Sequence, residues 1–67
     1  MKKFEVGKRY RVGGMAFEII SRTAQRAKIA CIQHEGNENE RISYKVKKIF
    51  QWPDREYISI NPYELEA

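Results

Sequence analysis

Apolar and polar residues alternate along most of this chain with a period near two, the spacing of a half-buried β-strand. Lys8-Arg9-Tyr10-Arg11-Val12 sets Tyr10 and Val12 against flanking charges. Gly13-Gly14 follows, two residues free to take the positive φ that a two-residue hairpin turn requires. Residues 8–12 are therefore expected to pair antiparallel with the next run. In that run Met15, Phe17, Ile19 and Ser21 share one face, and Ala16, Glu18, Ile20 and Arg22 the other. Ile20 among polar neighbours implies a twisted strand or a small second apolar patch. The connection Thr23 to Arg26 is polar and lacks glycine, which favours a type I turn or a slightly longer loop.

Ala27 to His34 divides into Ala27, Ile29, Cys31 and Gln33 against Lys28, Ala30, Ile32 and His34. Neither face is fully polar, so this strand belongs at the sheet centre. Glu35 to Glu40 is an acidic turn with one glycine and two asparagines. Arg41 to Lys48 then alternates again, with Ile42, Tyr44 and Val46 expected inward and Arg41, Ser43, Lys45 and Lys47 outward. A helix competes there, because Ile42, Val46 and Ile49 also form an i, i+4, i+7 stripe; the strand-preferring side chains favour the strand. Ile49 to Trp52 continues extended or bulges, and Pro53 to Glu56 reads as a turn. Tyr57 to Ile60 is a last short strand. Asn61-Pro62 resembles a helix N-cap with proline at the first helical position, followed by one turn at Tyr63 to Leu65.

Five short strands at such spacing predict an all-β fold. The expectation is one domain over residues 1–67, a small five-stranded SH3-like barrel or curled antiparallel sheet with a short C-terminal helical turn. An OB barrel ordinarily needs more chain and a helix between strands. At 67 residues the chain buries only about 60% of its unfolded surface, so most apolar residues are needed as core. The single cysteine, Cys31, makes no internal disulfide, and no Cys/His set has zinc spacing.

Three stretches, Phe4–Tyr10 (FEVGKRY), Phe17–Ala24 (FEIISRTA) and Tyr57–Pro62 (YISINP), resemble short β-barrel proteins of gut Firmicutes and their phages or mobile elements. Those proteins typically show a "VGK.Y" start, an "F.VI.RTAKT" strand and a "YS..P" ending. The shared positions, Val6, Gly7, Lys8, Tyr10, Phe17, Arg22 and Thr23, look structural. The Gly13-Gly14 turn departs from the pattern, which has a longer loop there. The resemblance implies a small β domain in a mobile-element context and transfers no catalytic residue.

The charge is +4, from 13 Lys/Arg and 9 Asp/Glu, and it is uneven. Residues 1–34 hold eight cations and two glutamates; residues 35–67 hold five cations and seven carboxylates. Such a basic chain is disposed to meet polyanions. Arg9 and Arg11 share one strand face, Lys45 and Lys47 another, with Arg41 and Lys48 alongside and the rings of Trp52 and Tyr57 close in sequence. Cations beside aromatics on a β surface suit nucleic acid, where rings stack on unpaired bases. These eight residues are the candidate nucleic-acid contacts.

Cys31 and His34 are the nucleophile and base candidates, but three residues apart on a strand they point to opposite faces. Glu35, Glu38 and Glu40 lack the alternation of a calcium loop. No catalysis, cofactor, metal or small-molecule substrate is expected. With two lysines at its start but no apolar segment after them, the N-terminus does not read as a signal peptide, and no run is long enough to span a membrane. The sequence reading is a cytoplasmic, non-catalytic domain that binds nucleic acid, or alternatively docks on a partner protein, as a monomer or weak homodimer.

Overall fold

The computed structural model describes residues 2–60 and 63–67. These form β1 (Arg9–Val12), β2 (Met15–Arg22), β3 (Arg26–Gln33), β4 (Arg41–Lys48), β5 (Phe50–Gln51), β6 (Glu56–Ile60) and β7 (Tyr63–Glu66). The first four pair antiparallel in the order β1-β2-β3-β4, the last three in the order β5-β6-β7. The fold is all-β, with two antiparallel sheets. No helix among the described residues is long and apolar enough to cross a membrane.

Three expectations are corrected. The two sheets do not close into a five-stranded barrel, because among the described residues no hydrogen-bonded ladder joins them. Tyr63 to Leu65 is strand, not helix: Tyr63 pairs with Ile60 and Leu65 with Ile58, so burying Leu65 against the core outweighs the local helix signal. The proposed cap at Asn61-Pro62 lies outside the described residues. The third correction concerns the faces of β4. Its register sets Ile42, Tyr44 and Val46 opposite Ile32, Ala30 and Lys28, and Lys45 and Lys47 opposite Ile29 and Ala27. Directly opposed residues share a face, and Ile29 and Ala27 are core. The alternation is real, but the apolar set points away from the core.

One core lies between the sheets. Phe17, Ile19, Ala27, Ile29 and Cys31 come from the larger sheet, Ile58, Ile60 and Leu65 from the smaller, and Phe4 and Ile49 join them. Ile49, whose amide donates to the Gln25 carbonyl at 2.7 Å, is the pivot at which the chain leaves β4 for β5. Thr23 closes the β2–β3 connection, its hydroxyl accepting from the amides of Gln25 and Arg26.

A bulge interrupts β2 between Ile19 and Ser21. The extra residue, Ile20, is exposed, and the face of every later residue changes. Arg22 therefore lies opposite Ala27 on the core side, not beside Ala16 and Glu18 as strict alternation requires. There it meets Glu56. The guanidinium donates to both carboxylate oxygens of Glu56, at 2.7 and 2.9 Å, and to the Phe4 carbonyl at 2.8 Å. The Phe4 amide donates to the same carboxylate at 2.8 Å. Glu56, expected in a turn, is the most buried charged residue described and clasps the N-terminal segment, β2 and β6 together.

Gly13 and Gly14 make the β1–β2 turn with φ of 58° and 78°. They differ in surroundings. A Cβ on Gly13 would lie 2.5 Å from the Tyr63 ring, whereas one on Gly14 would meet nothing within 4 Å among the described residues. Both alanine variants incur the left-handed penalty of about 1–2 kcal/mol. Gly13→Ala is expected to lose more stability than Gly14→Ala in urea titrations, because it also displaces Tyr63; equal losses would contradict the packing described.

Candidate interaction surface

β4 is the last strand of its sheet, and its outer edge has no strand partner among the described residues. It is also uncovered on its outward face: Ile42, Tyr44 and Val46 are 48%, 62% and 64% exposed. Five of its eight residues are cationic or aromatic: Arg41, Tyr44, Lys45, Lys47 and Lys48. β3 adds Arg26 and Lys28, and neither strand contains a carboxylate. Among the described residues, none of these six cations is in an ion pair. The Lys28 ammonium lies 5.6 Å from the Tyr44 ring centre and the Lys48 ammonium 5.3 Å from that of Phe50.

The eight candidate contacts do not form one patch. Arg9 and Arg11 lie opposite Glu18 and Ala16, on the outward face, while Arg41, Lys45 and Lys47 are on the core-side face of β4. Arg9 also pairs with Glu18 and Glu35, and Arg11 with Glu35. Both arginines hold the Glu35 carboxyl below its ordinary range, Arg11 more than Arg9. Glu35 from the turn and Glu18 from β2 together neutralise the first basic grouping. Lys48 remains unpaired beside Phe50.

Trp52 and Tyr57 are half-buried. Their rings tilt together at 4.4 Å, and Tyr57 stacks on Phe50 at 5.2 Å, across the β5–β6 pair. Trp52 thus belongs neither to the core between the sheets nor to a free stacking platform. Among the described residues Tyr44 is the most exposed ring, and Phe50 and Tyr63 are exposed in part. The sequence pattern places Tyr44 in the core and leaves Phe50, beside the basic strand, and Lys28 out of the candidate contacts; the signal for them is the shared parity of Ile42, Tyr44, Val46, Lys48 and Phe50.

Cys31 is buried in the core, and His34 sits exposed beyond the end of β3 in a left-handed conformation, φ 54°. Glu40 turns to the Gly36 amide, and Glu35 to the arginines, so the acidic turn spends two of its carboxylates on the protein itself. Among the described residues no three potential metal ligands gather. Comparison with models of known families, with curated proteins and with solved structures finds no match.

Proposed function

We propose that this chain is a non-catalytic protein-interaction module that docks its partner along β4. One observation carries the reading: an eight-residue strand that is open along one edge and exposed on its outward face. Open edges are templates for pairing with another chain, and the lysines of this one guard it against any strand that does not match their charge. The burial of Cys31 and the separate placement of His34 support a binding role over a catalytic one. The resemblance to phage and mobile-element proteins suits an accessory that acts by docking.

A second reading, single-stranded nucleic acid, is favoured by Tyr44 and Phe50 lying beside Lys28 and Lys48. It is weaker because Arg9 and Arg11 are already paired to Glu35 and because Trp52 and Tyr57 hold each other. A photo-crosslinking residue placed at Tyr44, with Glu64 as control, separates the two in cells that make the protein. A protein adduct formed from position 44 and not from 64 is the expected result. A nucleic-acid adduct from 44 would establish the second reading, and no adduct specific to 44 would overturn both.

A further inference from the structure

Resting on the docking role of β4, we propose that its partner is an extended segment in which acidic and apolar residues alternate, added as a fifth strand to the four-stranded sheet. The edge supplies the backbone half of this recognition. Along a strand, alternate residues direct both N–H and C=O toward the same neighbour, and β3 uses only one such set on β4. The other set is free over eight residues, roughly 26 Å at about 3.3 Å per residue.

The side chains supply the specificity. On one face β4 presents Arg41, Lys45 and Lys47, and on the other Ile42, Tyr44 and Val46. A paired strand places its own residues directly opposite on the same two faces. Carboxylates at every second position meet the three cations, and apolar residues between them cover the exposed stripe. Neither β3 nor β4 carries an acid that would repel such a segment.

The same arrangement disfavours antiparallel pairing of β4 with a second copy of the chain. In antiparallel self-pairing, a centre at Ser43 sets Arg41 against Lys45, and a centre at Tyr44 sets Arg41 against Lys47. A centre at Lys45 opposes two lysines, and one at Val46 sets Lys45 against Lys47. Like charges directly opposite are destabilising in every case. The pattern that rejects self-association is the pattern that selects an acidic strand.

The test uses the full chain and fluorescent nine-residue peptides, read by anisotropy and by amide hydrogen exchange. One peptide alternates glutamate and valine; a second has the same composition with the glutamates in one block; a twelve-nucleotide oligo-dT is the third probe. The alternating peptide is expected to bind at least tenfold tighter than the block peptide and to slow exchange of β4 amides, leaving β1 unchanged. Combining Lys45→Glu with Lys47→Glu should weaken it tenfold or more, while Lys2→Glu with Lys3→Glu should change it less than threefold. Lys2, Lys3 and Lys45 are exposed and Lys47 is half-buried, and far-ultraviolet circular dichroism checks that the variants stay folded. Equal affinity for the two peptides, tighter binding of oligo-dT, or no binding would each overturn the proposal. If a protein adduct still forms from position 44, the acidic strand is wrong and the docking surface stands; if both experiments fail, the surface itself is wrong.

Discussion

Glu56→Ala is expected to remove a third or more of the stability of the chain. The Glu56 side chain is 1% exposed, and the Arg22 side chain facing it is 16% exposed. Truncation removes a bidentate acceptor and strands both the guanidinium and the Phe4 amide. Breaking one partner of a buried pair costs about 3–5 kcal/mol. A chain of this length has about 3–10 kcal/mol in total, so the loss is a large fraction of what is available. Circular dichroism with urea titration measures it. Replacing both partners, Arg22→Met with Glu56→Leu, should recover part of the stability, since it leaves no unpaired buried charge although the Phe4 amide and carbonyl still lose their partners. If the single variant keeps its urea midpoint, the clasp is not structural.

The clasp also fixes the acid limb. Its bond to Arg22 is the largest cause holding the Glu56 carboxyl below the ordinary value of 4.5; the Phe4 amide helps, and burial opposes both. A carboxyl depressed in the folded state contributes stability that is complete above its unfolded value and is lost as pH falls through the folded one. Stability should therefore hold down to about pH 5 and decline below it. Glu35, lowered by Arg11 and Arg9, acts in the same direction from the surface.

Phe17→Ala is the second large effect expected. Phe17 is fully buried, opposite Tyr10 on β1 and Cys31 on β3. Removing a buried phenyl ring costs about 3–5 kcal/mol, the upper end applying where neighbours cannot collapse. Three strands meet at this site, and each is held in register by its ladder, so little collapse is available. Phe17→Leu should retain more than half of that stability because it leaves a far smaller void. A shift of the urea midpoint without a change of slope would identify lost packing; equal midpoints for the two variants would argue against it.

The comparison of sequence with structure is instructive residue by residue. Gly13-Gly14 announced its hairpin because only φ above zero needs glycine, and Tyr10, Phe17 and Ile19 announced their inward faces by alternation. Alternation gives period but not sign. Ile42, Tyr44 and Val46 therefore passed for core, although the register with β3 turns them outward. The bulge at Ile20 carries no glycine or proline to mark it, so Arg22 was assigned to the wrong face. Glu56 was legible in part: it shares parity with Ile58 and Ile60, but Pro53 and Asp54 beside it signalled a turn more loudly. The candidate site suffered most, since spatial convergence of charges depends on tertiary pairing that no local pattern encodes.

The Glu56 clasp bears finally on the order of events in folding. The β1–β4 meander is built from hairpins between neighbouring strands, whose ends meet after short loop closures. The clasp joins residues 34 and 52 positions apart. Closing longer loops costs more chain entropy before any contact rewards it, so the meander forms early and the clasp late. An interaction made after the rate-limiting step acts on escape from the native basin and not on arrival in it. Arg22 and Glu56 thus set the lifetime of the folded chain, while the hairpins set how quickly it is reached.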